Sequence, residues 1–257
     1  MILTVDINNT SVVFAVMDEG KALFMLRLSS DKNKTADEYA VLIESAFRQR
    51  GFDIRSVEGA IISSVVPPLT AVIKDAVMLV TGRSPLIIGP GIKTGLNIRL
   101  EDPTELGGDF VASSVAAIAD YSLPCVIVVM GTAIAMGIID KSGCYVGGII
   151  SPGPMVSQEA LASGAAMLSN VSITPTPQVI CKSTNTCIQS GIVHGSAAMI
   201  DGLLERIETE LGEPVSVICC GDWSETISPY CKRQGMVIDK EILMRGLWMI
   251  YKKNRRV

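Results

Sequence analysis

This chain of 257 residues holds one histidine, His194. That leaves almost no room for a serine nucleophile paired with a histidine base, or for a multi-histidine metal centre. Aromatic residues are only 5% and charged residues only 19% of the chain. Excess charge is also missing: 22 Lys and Arg against 26 Asp and Glu give a net −4, with no pull toward nucleic acid or an anionic membrane. The seven cysteines include no Cys-x-x-Cys pair, and their odd number and irregular spacing point to reduced thiols in a cytoplasmic protein. The neighbours Cys219 and Cys220 read as packing thiols. No basic segment precedes the early Asp6, so no secretory signal is expected. The longest uncharged run, Ser122 to Ile139, sits at the lower edge of the ~20 residues a membrane span needs. Gly131 and Gly137 break it, and it reads better as two strands.

What is present is apolar, at 48% hydrophobic residues, ample for a core of one large domain or two smaller ones. The opening, Met1 to Thr10, is an apolar β-branched run that ends in Asp6, followed by a short polar turn and a second apolar run, Val12 to Val16. A carboxylate and a hydroxyl thus stand at the mouth of a strand–turn–strand, where backbone N–H groups and a cation can meet a phosphate. An ordinary hairpin with an Asx-type turn accounts for the decapeptide equally well.

The first half begins with strands at 2–6, 11–17 and 22–28, the last two joined through Asp18-Glu19-Gly20. A helix at about 36–50 opens with Thr35 and Glu38 in capping-box spacing and stops at Gly51. A strand at 59–66, a helix after Pro67-Pro68 and a short strand, Leu86 to Ile88, follow. The order then recurs. Cys125 to Met130 and Ala133 to Ile139 flank Gly131-Thr132, Asp140 to Gly143 turns the chain, and Tyr145 to Ile150 is the third strand. A strand at 215–220 and a helix at about 239–254 come later, with Lys252, Lys253, Arg255 and Arg256 as its solvated basic end. The fold class is therefore α/β, a duplicated β-β-β-α-β-α unit divided at 1–115 and 116–257. Two such ribonuclease H-like halves facing across a cleft would resemble the actin-like ATPase and sugar-kinase superfamily.

Further segments sharpen the resemblance. Pro90 to Ile98 leads to Pro103-Thr104-Glu105-Leu106-Gly107-Gly108-Asp109, and Gly147-Gly148-Ile149-Ile150-Ser151-Pro152-Gly153 precedes Ser157 to Leu161. Cys181-Lys182-Ser183-Thr184, Ile188 to Gly191, Gly246-Leu247 and Asn254 complete the set. From end to end the chain resembles a type III pantothenate kinase. The resemblance implies transfer of the γ-phosphoryl of ATP to the 4′-hydroxyl of pantothenate, the first committed step toward coenzyme A. It implies magnesium, a monovalent cation (potassium or ammonium) and a homodimer with the substrate pocket near its interface. The family's first phosphate motif falls on Asp6, Asn8, Asn9 and Thr10, with Asp6 toward the metal. Its Gly-x-Asp-Arg motif falls on Gly107, Gly108, Asp109 and Phe110, with Asp109 matching the general base. The second phosphate motif falls on Val129 to Ala133, including Gly131 and Thr132. Thr184 matches a pantothenate-contacting threonine, and the adenosine-side motif falls on Cys219, Cys220 and Gly221.

The departures gather where chemistry is expected. Val129 stands for the second-motif aspartate, Asn8 for a glycine, Phe110 for an arginine and Leu100 for a tyrosine of the substrate pocket. Cys219, Cys220 and Cys181 also displace motif residues. Three readings follow: a pantothenate kinase with altered efficiency, a ligand-binding paralogue without turnover, and a kinase for another small alcohol.

Overall fold

The computed structural model describes residues 1–165, 168 and 170–255, so Arg256 of the basic tail lies outside the described residues. Strands Ile2–Ile7 (β1), Ser11–Asp18 (β2) and Lys21–Ser29 (β3) lead to helix Ala36–Gln49 (α1). Strand Ala60–Ser64 (β4), helix Pro67–Thr81 (α2) and strand Leu86–Ile87 (β5) follow. After Asn97–Ile98 (β6) and helix Gly108–Asp120 (α3) comes a second meander, Cys125–Met130 (β7), Ala133–Ile139 (β8) and Cys144–Pro152 (β9). Helices Pro154–Gly164 (α4) and Thr184–Leu211 (α5) precede strand Ser216–Cys220 (β10). The short helix Ser224–Ile227 (α6), strand Val237–Ile238 (β11) and helix Ile242–Asn254 (α7) complete the order.

The two sheets repeat one plan. The first has the order β3-β2-β1-β4-β5. The second, read from its meander, is β9-β8-β7-β10-β11, with β6 added beyond β9. In both, the first three strands are antiparallel and the next two join in parallel beside the first. The duplicated α/β unit expected from the repeat is present. The uncharged run Ser122 to Ile139 supplies β7 and β8, and no helix among the described residues is long and apolar enough to cross a membrane.

Local chemistry explains most boundaries. Thr35 and Glu38 form the expected reciprocal box, with Glu38 N donating to Thr35 Oγ1 at 3.3 Å and Thr35 N to Glu38 Oε2 at 2.7 Å. β4 ends at Ser64, short of the expected 66, because Val66 is the cap residue before Pro67, outside the helical region at φ −127° and ψ 82°, while Pro67 occupies the first helical position. β1 is buried at every residue, as suits a strand flanked on both sides. Around it pack Phe14, Tyr39, Phe47, Ile62, Leu69 and Ile73, each contributing about 1.5–3 kcal/mol on burial. The second core collects Val126, Val128, Met136, Ile200, Leu204 and Val217.

The chain separates into two compact units, Met1–Leu96 with Glu101–Ala119 and Glu241–Val257, and Asn97–Leu100 with Asp120–Lys240. A cut at 115 would pass through α3, and α7, numbered with the second half, stands with the first unit. Packing gives the reason. Gly246 on α7 lies so close to Ala112 on α3 that a Cβ there would overlap the Ala112 carbonyl, and Thr4 Oγ1 of β1 donates to Met244 Sδ at 3.3 Å. Gly246→Ala is expected to cost about 2–3 kcal/mol in urea unfolding through overpacking. Gly195→Ala on α5, where a Cβ meets nothing within 4 Å, is expected to gain up to about 1 kcal/mol from helix propensity. Equal effects of the two variants would disprove the close crossing.

Candidate active site

The C-terminal ends of β1 and β4, with the first turn of α3, form one corner of the first unit. Asp6 is next to last on β1, opposite Val13 of β2 and level with Ser63 of the parallel β4. It is only 3% exposed. Asn8 Nδ2 donates to Asp6 Oδ2, so the residue in the family's glycine position clasps the carboxylate. Asp6 Oδ1 and Ser63 Oγ are buried and complete no hydrogen bond. The turn itself is tight: Asn8 N donates to Ser11 O at 2.9 Å, Ser30 N to Thr10 O at 3.1 Å, and Asn9 and Thr10 are exposed.

Asp109 enters from the first turn of α3. That helix begins at Gly108, and Val111 N donates to Gly107 O at 3.0 Å. Burial pushes the Asp109 carboxyl above the ordinary carboxylate range, opposed by the backbone N–H groups of Phe110 and of Asp109 itself. Burial first, and the Asp109 carboxylate second, push Asp6 up to about 7. The Ser63 hydroxyl, by its nearness, then the Asn8 amide and the Arg27 guanidinium, act in the opposite direction. Two glycines permit the approach. A Cβ on Gly107 would collide with Asp109 Oδ1, and one on Gly108 would sit 3.2 Å from Ser63 Oγ. Phe110 is half-buried on α3.

Magnesium prefers hard oxygen ligands, keeps several waters and takes others from substrate phosphates. Asp6 Oδ1 beside Ser63 Oγ supplies hard oxygen atoms of the kind that ion takes. No group of three or more His, Cys, Asp or Glu that could hold a metal stands among the described residues, so the protein offers this corner and not a closed cage.

In the second unit, Gly131 and Thr132 turn the chain between β7 and β8, with Gly131 N donating to Ala133 O at 2.9 Å. Gly153 N donates to Thr132 O at 3.0 Å and Trp223 N to Met130 O at 3.0 Å. Gly221 has φ +89° and its Cβ would come 2.5 Å from Met130 O, so both the backbone and the space require glycine there. Gly153 is equally confined, since a Cβ would overlap the carbonyls of Gly131 and Thr132. Half-buried Val129 pairs with Ala135 and Cys220 and puts no charge beside this turn. Thr184 opens α5, capped by Ser183 and Thr186, and lines a groove of about 820 Å³ between α4 and α5 with Val156, Leu161, Cys187 and Ile188. Leu100 is half-buried in the same unit's segment after β6. A separate groove of about 480 Å³ beside α1 and α2 contains none of these residues.

Asp6, Gly107, Gly108 and Asp109 are thus brought together, as are Val129, Gly131, Thr132 and Gly221. Sequence reading missed Ser63 and the confinement of Gly153. The signal for Ser63 was a polar residue at the end of an apolar strand, where α/β sheets bind ligands. His194 Nε2 lies 3.0 Å from the Thr176 carbonyl and its ring meets Tyr230 edge-on. None of the seven cysteines forms a disulfide; Cys219 and Cys220 are buried, and burial raises the Cys219 thiol to about 11.

Two meander-led sheets of this order, each ending in a phosphate-sized turn, define the fold of the actin-like ATPases and sugar kinases. Solved structures agree. The ROK hexokinase of Thermus thermophilus superposes with a TM-score of 0.54 at 12% identity, covering 100% of this chain and 99% of its own. The activator of the 2-hydroxyisocaproyl-CoA dehydratase from Clostridium difficile, with bound ADPNP, gives 0.59 at 11% identity over 99% and 97%. Within that class, residues 2–206 match the type III pantothenate kinase family. A type III pantothenate kinase of an Exiguobacterium species is 39% identical over 256 residues, 100% of both chains. The chain belongs to the type III pantothenate kinase family.

Because the folded Asp6 carboxyl titrates near 7, above its ordinary 3.8, the folded state holds this proton more tightly than the unfolded state. Its contribution to stability is full below about pH 4 and is lost as pH rises through about 7. Asp6→Asn is expected to raise Tm clearly at about pH 8 and little at about pH 4. Thermal unfolding at both pH values checks this; an equal shift at the two would clear the carboxyl of blame.

Proposed function

We propose that this protein transfers the γ-phosphoryl of ATP to the 4′-hydroxyl of pantothenate. The observation that carries the reading is the Asp6 and Asp109 pair, buried Asp6 beside half-buried Asp109, in a chain that belongs to this family from end to end. Phosphoryl transfer asks the protein chiefly for positioning and charge neutralisation. Asp109 accepts the alcohol proton, and burial raises its affinity for protons above that of an ordinary carboxylate. Asp6 faces the magnesium-bearing phosphates, and magnesium, when bound, offsets charge on the transferring group. Asn9 and Thr10 offer polar contacts from the first turn. Gly131 and Thr132 present backbone to phosphate, Gly221 keeps the adenosine side open, and Thr184 meets pantothenate at the α4–α5 groove. Gly107 and Gly108 bring backbone to the substrate beside Asp109, Phe110 adds an apolar side chain there, and Leu100 is the apolar residue offered by the other unit's segment after β6. The protein works as a cytoplasmic homodimer and draws on a monovalent cation such as potassium.

Val129 and Phe110 favour a second reading, a slow or silent paralogue that binds the same ligands. Removing a charge that faces the transition state commonly costs ~10²–10³ in rate. Two such losses need not multiply when residues act as a unit.

A coupled assay with ATP, magnesium, pantothenate and potassium is expected to show pantothenate-dependent turnover. Its absence, with both ligands still bound in calorimetry, would leave the silent binder. Asp109→Ala is expected to abolish the turnover, and an unchanged rate would remove Asp109 as the base. Restoring charge in the double variant Val129→Asp with Phe110→Arg is expected to raise turnover by about tenfold or more. A double variant at the wild-type rate would refute the missing-charge account.

A further inference from the structure

In the corner as it stands, Ser63 favours the Asp6 charge by nearness alone. Ser63 is fully buried, and its Oγ completes no hydrogen bond. Such hydroxyls are nearly always paired in folded proteins, so an orphan points to something that arrives later. Three observations say where it acts. Ser63 and Asp6 are register partners on adjacent parallel strands, so their side chains leave the sheet on one face. Asn8 takes Asp6 Oδ2, which leaves Oδ1 as the second orphan. The turn into α3 passes close to them, since a Cβ on Gly108 would fall 3.2 Å from both Ser63 Oγ and Ile88 Cγ2.

We propose that Ser63 is a positioning residue of the phosphate site: its hydroxyl and Asp6 Oδ1 form one paired contact for the magnesium-bearing end of the nucleotide, and Asn8 selects the carboxylate oxygen presented. A hydroxyl serves here because it both donates and accepts without adding charge to a corner that already holds two carboxylates. The inference rests on the nucleotide reading of this corner.

Ser63→Ala in the full chain tests it, with calorimetry of magnesium and a non-hydrolysable ATP analogue, a separate pantothenate titration, and thermal unfolding without ligand. The expected result is about a tenfold loss of magnesium-nucleotide affinity, the worth of a hydrogen bond to a charged group. Pantothenate affinity stays at the wild-type value, and the unliganded Tm stays level or rises, since an unpaired buried hydroxyl has been removed. In turnover, KM for magnesium ATP rises while KM for pantothenate does not. Wild-type nucleotide affinity in the variant overturns the proposal, whether or not Tm falls. A wild-type protein that binds no magnesium nucleotide overturns the kinase reading and this inference with it. Binding by both proteins alike sinks the inference alone.

Discussion

Burying the Asp6 carboxyl at the end of a fully enclosed strand is the constraint that organises the first unit. Water cannot reach the group, so it must keep its proton, find donors or await a cation. The surroundings supply part of each answer. Asn8 donates to one oxygen, Arg27 leans on the charge from β3, and Ser63 stands level on β4. A second carboxylate, Asp109, is then brought close, which makes the ionised pair harder to sustain. Nothing in the packing of a core calls for two such groups. Their cost makes sense where the empty fold is tuned to receive positive charge.

The second unit repeats the strand order and answers the same problem differently. Val129 is next to last on β7 as Asp6 is on β1, and Cys220 is its parallel neighbour as Ser63 is of Asp6. The oxygen-bearing pair of one sheet is an apolar and thiol pair in the other. What survives there is backbone: the turn at Gly131 is held by N–H groups of Gly153 and Trp223, and Gly221 stays because only glycine fits. The two repeats have therefore divided their labour, with charge on one and shape on the other.

Much of this was readable from residues with local causes. Asp18 to Gly20 and Asp140 to Gly143 mark the meander turns, and Thr35 with Glu38 marks α1, because turns and caps depend on neighbours within four residues. The 28-residue α5 was not located, since Gly191, Gly195 and Gly202 break its apolar rhythm and each lowers helix propensity. The place of α7 with the first unit depends on Gly246 meeting Ala112, and no local pattern reports a contact 134 positions away in the chain. Ser63 escaped for the same reason. Its partner is set by parallel register between β1 and β4, with α1 lying between them in sequence. The identities of the site residues came from whole-chain resemblance, and the structure adds which of them share a corner.

The departures from the family pattern are also informative through what accompanies them. Close-packed glycines are costly for the fold itself to lose, so they bear on function only where the atoms they spare belong to polar side chains. Here Gly107, Gly108, Gly153 and Gly221 all remain at positions where a Cβ meets protein atoms. At Gly153 and Gly221 the atoms met are backbone of the Met130–Thr132 turn, so folding alone can preserve them. Gly107 and Gly108 differ, because what they spare is the Asp109 carboxylate and the Ser63 hydroxyl, groups that the fold itself would do better without. A fold with no chemistry to perform would gain by carrying an apolar residue in place of Asp6 or Ser63, as the second sheet does at Val129. Buried oxygens at the β1–β4 corner, against an apolar and thiol pair at the matching strand ends of the second sheet, make that corner the candidate site.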